Sequence, residues 1–186
     1  MSGSAAPLLA SEAGVALGPA TLQDVGGIAR LINGFARRGL MLPKTEEELC
    51  RHLREFVVVT DEVGDVVACG GLRIYRPELA EIVGLAVDES CHGQGLGRSV
   101  VDALVAEARA LGIPTVFAMT LEEAFFHRRG FRTVPRASIP EKVAADCTGC
   151  FRREACREIA VLRTVAGVGG AGESREGRRL PMAARG

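Results

Sequence analysis

The stretch EIVGLAVDESCHGQGLGRS, residues 81–99, decides the fold because it joins an apolar run to a glycine-rich turn. Together with the two residues before it, the run predicts a buried β-strand over Leu79–Val87. After the turn, the spacing of the apolar residues predicts a helix from about residue 98 to residue 111, with one face buried. A strand, a glycine-rich turn and a helix therefore follow one another at the centre of the chain.

Glycines alternate in the turn, at Gly93, Gly95 and Gly97. They leave backbone N–H groups unshielded at the N-terminus of the helix, where the helix dipole favours an anion. A pyrophosphate cradle is one interpretation, and a tight connection without a ligand is the other. A Walker loop is excluded because Arg98 and Ser99 follow Gly97, where that loop has lysine and then Ser or Thr. A Rossmann fingerprint is excluded because it belongs to a parallel βαβ unit, whereas antiparallel strands are predicted before this turn.

Gly84 interrupts the predicted strand shortly before the turn. A glycine inside a strand often marks a bulge or a place where a ligand approaches the backbone. A splayed strand beside a phosphate cradle suits an extended ligand that carries amides along its length. Coenzyme A is such a ligand, and the two features together favour a coenzyme A site.

The flanking sequence predicts the element order β-α-α-β-β-β-α-β-α-β, an α+β sandwich with a mostly antiparallel central sheet flanked by helices. Thr21 is the predicted cap of the first helix. Thr45 with Glu48 forms a capping-box pattern before a second helix that extends to Leu53 or Phe56. The other predicted elements are strands at 15–17, 56–60, 66–72, 114–119 and 131–134 and a short helix at 122–129.

Length and composition indicate one globular domain. The chain has 186 residues, of which 47% are hydrophobic and 25% charged, and 23 basic residues balance 23 acidic ones. We expect the folded domain over 15–164, with a flexible N-terminus over 1–14 and a disordered tail over 165–186. The neutral charge balance gives no sign of a nucleic-acid partner. We also expect no membrane partner and a cytoplasmic location, because the sequence has neither a signal-peptide pattern nor an apolar stretch of about 20 residues.

The central residues resemble the GCN5-related N-acetyltransferase (GNAT) superfamily, whose signature is an acidic strand, then Arg/Gln-x-x-Gly-x-Gly/Ala, then a helix. The corresponding segments here are 81–88 and 92–97. Residues 124–131, an aromatic pair followed by Gly-Phe, resemble a second landmark of the superfamily. The resemblance covers roughly residues 15–135 and implies a GNAT fold, an acetyltransferase domain and acetyl-CoA as cosubstrate.

A narrower resemblance is to the acetyltransferase domain of N-acetylglutamate synthases, including short forms without an amino-acid-kinase domain. The similar segments are 40–45, 56–59, 68–72, 80–82 and 117–120. This resemblance implies transfer of an acetyl group from acetyl-CoA to the α-amino group of L-glutamate, the first step of arginine biosynthesis. Homodimers are common in that family. Glutamine or another small amino acid is an alternative acceptor, and a non-catalytic acetyl-CoA sensor is an alternative function.

Glu81 and Thr120 are the candidate catalytic residues. Acetyl transfer requires the acceptor ammonium to lose a proton before it attacks. Glu81 matches the acidic strand position of the superfamily and is the predicted base, acting through water; the alternative is a strand-edge carboxylate without a chemical role. Phe126 stands where many members have the tyrosine that protonates the departing thiolate. Thr120 resembles a hydroxyl position of the synthases and is the predicted donor; a thiolate that needs no donor is the alternative, and Tyr75, the only tyrosine, lies elsewhere in the sequence.

The resemblance places coenzyme A against the end of the strand, the turn, the start of the helix and one aromatic ring. The predicted cofactor-binding residues are Leu85, Ala86, Val87, His92, Gly93, Gln94, Gly95, Leu96, Gly97, Arg98, Ser99 and Phe126. His92 departs from the pattern, because the superfamily usually has Arg or Gln at this position.

Four residues are predicted to bind the acceptor: Lys44, Gly84, Arg73 and Arg157. The α-carboxylate of an amino acid needs a cation, and Lys44 lies where the synthases have a basic residue. The alternative for Lys44 is a solvated surface charge. Arg157 matches a second carboxylate ligand by approximate alignment, and Arg73 is a further candidate.

Three of the six cysteines, Cys147, Cys150 and Cys156, lie in the late segment 141–158. Thiolates at C-x-x-C spacing suit zinc, but three ligands leave a tetrahedral site incomplete. The fourth ligand would have to come from His127, another cysteine or a neighbouring subunit. A zinc site, reduced thiols and a redox pair are the three interpretations of this cluster.

Overall fold

The computed structural model describes residues 9–10 and 14–165. These residues form an eight-stranded sheet in the spatial order β1-β2-β3-β4-β5-β6-β8-β7. Every neighbouring pair is antiparallel except β5 and β6. The strands are β1 (Leu9–Ala10), β2 (Ala16–Pro19), β3 (Phe56–Thr60), β4 (Val66–Arg76), β5 (Leu79–Val87), β6 (Thr115–Thr120), β7 (Arg132–Val134) and β8 (Ile159–Thr164). The helices are α1 (Val25–Arg37), α2 (Glu46–Arg51), α3 (Leu96–Ala110), α4 (Glu123–His127) and α5 (Pro140–Lys142).

Helices cover both faces of the sheet, which confirms the predicted α+β sandwich. On one face, α3 buries Val101 and Leu104 in a cluster with Ile82 of β5. On the other face, α1 packs Ile28 and Ile32 in a second cluster with residues of α2 and β3. Apolar side chains on both faces remove the sheet from water, and this burial is the main contribution to stability in such a sandwich.

The connection between β7 and β8, residues 135–158, lies on the α1 face of the sheet. It contains α5, which runs directly into a π-helical turn at Val143–Cys147. Ile139 anchors the connection in a third apolar cluster, with Phe117 of β6 and Leu79 of β5. The connection therefore lies beside the first residues of β5.

β5 has the predicted bulge at Gly84. Cys69 of β4 pairs with Ala86 and Gly71 pairs with Val83, so β5 has one extra residue between the two pairs. Gly84 has φ +60°, and a Cβ atom built on it would lie 3.2 Å from the ring of Phe56. Only glycine meets both constraints without strain.

The parallel pairing of β5 with β6 ends at the bulge. It joins Leu79 through Ile82 with Thr115 through Ala118, and no pairing is recorded after Ile82 within the described residues. The later residues of β5 and the last residue of β6 instead line a cleft. The bulge and the loss of pairing together open the sheet at one edge of its centre.

Local signals in the sequence place most of the elements well, but β1, α5 and β8 are missing from the predicted order, and β4 extends to Arg76 rather than to residue 72. The Thr45–Glu48 capping box is present and starts α2, but α2 ends at Arg51. Phe56 does not belong to this helix, because it starts β3 and pairs with Gly71 of β4. β8 is absent from the predicted order, although it pairs with both β6 and β7.

The predicted flexible termini fall mostly outside the described residues. There are two exceptions: Leu9–Ala10 forms β1 beside β2, and Val165 is buried and donates its N–H to the Pro114 carbonyl. The remainder of 1–14, apart from residue 14, and the tail from residue 166 onward lie outside the structure described here. The division of the chain at residues 15 and 164 stays a prediction.

Candidate active site

A cleft of about 1350 Å³ lies where β5 and β6 separate. It brings together most of the residues predicted from the sequence. Both predicted catalytic residues line it, as do Lys44, Arg73 and Gly84 from the acceptor set. The predicted cofactor residues that line it are Leu85, Ala86, Val87, His92, Gly93, Gly95, Leu96, Gly97, Arg98 and Phe126. Gln94 and Ser99 are in the same turn and helix but are not among the lining residues.

We call residues 84–98 with Phe126 the turn side of the cleft. Gly95 is the residue before α3 and has φ +82°, a conformation that suits glycine. The first N–H groups of α3 have no partner within the helix, and they carry the positive end of its dipole. This arrangement can bind a pyrophosphate through the backbone alone.

The His92 ring lies at the junction of β5 and the turn. Its Nε2 atom is 3.0 Å from the carbonyl oxygen of Val87. The exposed imidazole is thus held by a backbone contact at the end of β5. His92 stands where the superfamily usually has Arg or Gln, and this difference does not change the backbone N–H groups of the turn and of α3.

Glu81 is almost completely buried, with 2% of its surface exposed, although it lies on the cleft. It is on the α1 face of β5 and pairs with Arg73 of β4. Burial raises the pKa of Glu81, and the nearby Lys142 ammonium opposes this shift without cancelling it. A carboxylate with a raised pKa is a stronger base, which suits the predicted role.

Three further side chains surround Glu81, and we call the four groups the Glu81 ring. The Tyr75 hydroxyl oxygen lies 2.8 Å from Glu81 Oε2 and 2.6 Å from Asp146 Oδ2, within hydrogen-bond distance of both. Lys142 Nζ donates to Glu81 Oε2 over 3.0 Å and to Asp146 Oδ2 over 2.8 Å. A phenol and an ammonium therefore bridge the same two carboxyl groups.

The protonation states in the Glu81 ring follow from burial and charge. Burial and the Glu81 carboxylate raise the pKa of Tyr75 far above its ordinary value, so the phenol stays protonated. Burial alone would lower the pKa of Lys142, but the Glu81 carboxylate and two hydrogen bonds raise it. Burial alone would raise the pKa of Asp146, but the hydrogen bonds from Lys142 and Tyr75 hold it below its usual range.

The sequence interpretation missed Tyr75, Lys142 and Asp146. Tyr75 does not lie elsewhere in the fold; the β4–β5 hairpin puts it on the same face as Glu81. The signal was available, because Arg73 pairs with Glu81 and side chains two residues apart on a strand share a face. Lys142 and Asp146 gave no local signal, since they lie 61 and 65 residues after Glu81 in an irregular connection.

Lys44 is half-buried in the cleft and held in place through its backbone. The Asn33 side chain of α1 donates to the Lys44 carbonyl over 2.8 Å and accepts from its N–H over 3.0 Å. Burial and the neighbouring Arg73 guanidinium lower the pKa of Lys44. Arg73 itself lies 3.3 Å from Glu55 Oε2 through its Nε atom. Two neighbouring cations that line the same cleft form a favourable place for an anion.

Thr120 ends β6 and is buried at the wall of the cleft. Its hydroxyl oxygen accepts the N–H of Glu122 over 2.8 Å, which fixes the orientation of the side chain. Phe126 on α4 is buried between Phe125 and Phe131 in edge-to-face contacts. Phe126 supplies an apolar wall without a proton, so the hydroxyl on this part of the cleft belongs to Thr120.

Arg157, Cys147 and Cys156 are not among the residues that line the cleft, whereas Cys150 is. Arg157 is exposed and lines a small adjoining pocket of about 40 Å³. All six cysteine thiols are free, and Cys156 accepts a hydrogen bond from Arg136 over 3.2 Å. Over residues 9–10 and 14–165, no three His, Cys, Asp or Glu side chains are grouped to hold a metal ion. The zinc interpretation therefore has no ligand set in the described part of the chain.

Comparison with known proteins identifies the family. Residues 30–131, more than half of the chain, match the Acetyltransferase (GNAT) family. An uncharacterized N-acetyltransferase of Chlorobaculum tepidum is 38% identical over 78% of this chain and 94% of its own length. The amino-acid acetyltransferase of Mycobacterium tuberculosis is 35% identical over 67% of this chain and 72% of its own length. The chain belongs to the GNAT family and is an acetyltransferase.

The fold agrees with that of a solved synthase. The N-acetylglutamate synthase of Neisseria gonorrhoeae, in complex with coenzyme A and N-acetyl-glutamate, superimposes with a TM-score of 0.74 at 27% identity. The match covers 84% of this chain but only 36% of the gonorrhoeal enzyme. The GNAT fold predicted from residues 81–97 is thus confirmed. No helix among the described residues is long and apolar enough to cross a membrane. The cytoplasmic location and the homodimer stay predictions.

Proposed function

We propose that the chain transfers an acetyl group from acetyl-CoA to the α-amino group of L-glutamate, the first step of arginine biosynthesis. The observation that carries this proposal is the pair Lys44 and Arg73 in the same cleft as the buried Glu81. The pair supplies positive charge for a carboxylate, and Glu81 supplies a base for an ammonium. A free amino acid has both groups on one carbon atom.

Acetyl-CoA is the cosubstrate in this proposal, and it binds on the turn side. The N–H groups at the start of α3 receive the pyrophosphate. The bulged backbone around Gly84, no longer paired with β6, is available for the amides of the pantetheine arm. The gonorrhoeal synthase, which shares the fold, binds coenzyme A.

The chemistry then needs three proton transfers, two from the acceptor nitrogen and one to the sulfur. Glu81 accepts a proton from the acceptor ammonium, so that the free amine can attack the thioester carbonyl. The tetrahedral intermediate loses the second proton of the acceptor nitrogen to solvent and collapses to an amide and a thiolate. Thr120 is the hydroxyl on the cleft wall that can donate to this thiolate, while Phe126 excludes water beside it. Thr120 then recovers its proton from solvent.

The positive charge favours an acidic acceptor. Burial and Arg73 lower the pKa of Lys44, so a bound carboxylate would relieve an unfavourable interaction between like charges. Glutamate offers two carboxylates to this environment, and glutamine offers one. We therefore expect glutamate to be the better acceptor, with glutamine as the competing candidate.

A thiol-release assay with purified protein, acetyl-CoA and each of the common amino acids tests the proposal. The expected result is the highest kcat/KM with L-glutamate, with N-acetylglutamate identified by mass spectrometry. A higher kcat/KM with glutamine would replace the acceptor but keep the reaction. Acetyl-CoA binding without turnover on any amino acid would favour the sensor function and overturn the proposal.

A further inference from the structure

The Glu81 ring contains one hydrogen bond too many for the protons of its neutral phenol and its ammonium. The Tyr75 hydroxyl oxygen lies within 2.8 Å of Glu81 Oε2 and 2.6 Å of Asp146 Oδ2. A phenol has one proton, and an ionised carboxylate can only accept. If both carboxyl groups were ionised, one of these contacts would bring two oxygen atoms together without a proton between them. One additional proton in the ring supplies a donor for each of the two contacts.

That proton has a natural place on Glu81. Glu81 is 2% exposed, whereas the Asp146 side chain is 36% exposed. Burial raises the pKa of Glu81, and the pKa of Asp146 lies below its usual range. A protonated Glu81 can donate to Tyr75, while Tyr75 donates to Asp146. The Lys142 ammonium then balances the one negative charge that remains.

We propose that Tyr75 and Asp146 form the exit path for the proton that Glu81 removes from the acceptor amine. This inference rests on the proposed function. Glu81 is ionised before the reaction, takes the acceptor's proton and becomes the carboxylic acid of the arrangement described above. It passes the proton to the Tyr75 oxygen as the phenolic proton moves to Asp146 Oδ2, and Asp146 releases it to solvent. Tyr75 ends as it began, a neutral phenol.

The balance of the reaction leaves one proton that must be released. An ammonium and a thioester give an amide, a thiol and one proton, and no electrons change hands. A buried base that keeps this proton cannot act in the next turnover. The ring leads from the buried Glu81 to the half-exposed Asp146 in two hydrogen bonds, so the proton can leave without passing the bound acceptor.

The other charged groups around the ring favour release at Asp146. Lys142 lies between the two carboxyl groups, with 15% of its side chain exposed. Arg73 also lowers the pKa of Asp146. Lys44 lies near enough to Lys142 to feel its charge. These cations stabilise the ionised form of Asp146, which therefore passes a proton on rather than retaining it.

Two conservative substitutions test the path by kinetics. Tyr75→Phe removes the hydroxyl but keeps the aromatic ring, whose centroid lies 5.7 Å from that of the Phe117 ring. Asp146→Asn keeps the shape but cannot take up the proton. Each variant should lower kcat about tenfold or more near neutral pH. KM for both substrates should stay the same, and the loss should shrink as the pH rises and the amine deprotonates in solution.

The double variant Tyr75→Phe/Asp146→Asn should be no slower than the slower single variant, because both changes break one path. Glu141→Gln is the matched control. Glu141 lies in the same connection and pairs with the exposed Arg76, so its loss should leave kcat unchanged. Additive losses in the double variant, or a wild-type pH profile in Tyr75→Phe, would overturn the path.

A measurement without turnover separates this inference from the proposed function. Carbon-13 NMR of labelled side-chain carboxyl groups should show Glu81 and Asp146 responding in a shared titration step. In Tyr75→Phe the shared step should split into two independent ones. An unchanged pair of curves contradicts proton sharing, even if the enzyme is active. If the titration step splits in Tyr75→Phe but the wild-type protein acetylates no amino acid, proton sharing between Glu81 and Asp146 is supported and the proposed function is rejected.

Discussion

The two sides of the cleft are built in different ways. The turn side consists of one contiguous segment, 84–98, and Phe126 of α4, and it offers mainly backbone groups. The charged side, which we define as Lys44, Arg73 and the Glu81 ring, offers side chains from four separate segments. Its hydrogen bonds join residues 61 and 71 positions apart in the chain.

This difference separates a general function from a specific one. A backbone cradle recognises a pyrophosphate through N–H groups that every residue except proline carries, so only glycine spacing needs to be specified. An acceptor site needs charges at set positions, and each depends on an individual side chain. Substitutions on the charged side should therefore change catalysis and acceptor binding, whereas those on the turn side should change coenzyme binding.

Glu81→Gln should have the largest effect. It removes the base and leaves the strand intact, so kcat should fall by about 10²–10⁴-fold near neutral pH. The loss should be greatest at low pH, where the acceptor is fully protonated, and should diminish at high pH. Measurement of kcat and kcat/KM across the pH range checks this prediction.

The control for Glu81→Gln is Glu78→Gln. Glu78 lies in the same β4–β5 hairpin, where it forms an exposed ion pair with Arg76. Its loss should leave the pH–rate profile unchanged. A wild-type profile in Glu81→Gln would remove Glu81 from the mechanism and return it to a structural role.

The same contrast explains how much the sequence predicts. The bulge at Gly84 and the capping box at Thr45 could be predicted from the sequence, because bulges and caps depend on neighbours within a few residues. β8 could not be predicted in the same way, because it follows a long irregular connection and because tertiary packing sets its pairing with β6 and β7. Lys142 and Asp146 were missed for the same reason, because they lie in that irregular connection. The position of Tyr75 beside Glu81 could have been predicted, because the register of the hairpin places both side chains on the same face of the sheet.

Lys44→Ala should have the next largest effect, confined to the acceptor. It removes a charged hydrogen-bond donor worth about 1.5–3 kcal/mol. The KM for glutamate should rise about 10–100-fold, while the KM for acetyl-CoA stays within about twofold. Arg51→Ala is the control, because Arg51 is an exposed cation paired with Glu47 on α2. Equal increases in both KM values would contradict the assignment of Lys44 to the acceptor.

Gly95→Ala should act on the turn side alone. Its φ of +82° costs a residue with a Cβ about 1–2 kcal/mol, so the turn should relax away from the cradle geometry. The KM for acetyl-CoA should rise about 5–30-fold with little change in that for glutamate.

A matched control for Gly95 exists at the other end of α3. Gly112 has φ +78° and, like Gly95, has no heavy atom within 4 Å of an added Cβ. Gly112→Ala should therefore lower the melting temperature to a similar extent while leaving both KM values unchanged. If the two variants raise the KM for acetyl-CoA equally, the effect belongs to general stability and the cradle assignment fails.

Lys142→Met should have the smallest effect at neutral pH, less than about tenfold in kcat/KM, and the clearest shift with pH. The ammonium favours the ionised form of Glu81, so its removal should raise the pKa of Glu81 further. Glu81 must be ionised to accept a proton, and kcat/KM falls as the pH drops through its pKa. The acid limb of the profile should therefore move to higher pH, and the two enzymes should converge at alkaline pH.

The pH dependence of the melting temperature tests the effect of Lys142 on the pKa of Glu81 independently of the kinetics. Because the folded pKa of Glu81 is raised above its unfolded value, the protonated form is favoured by folding. That contribution is complete below the unfolded pKa and is lost as the pH rises through the folded pKa. Without Lys142 the loss should be larger, so the melting temperature of Lys142→Met should fall more steeply with rising pH than that of the wild type. Lys142→Arg keeps the charge and should leave the acid limb in place; a limb that moves to lower pH in Lys142→Met would show that Lys142 does not stabilise the ionised base.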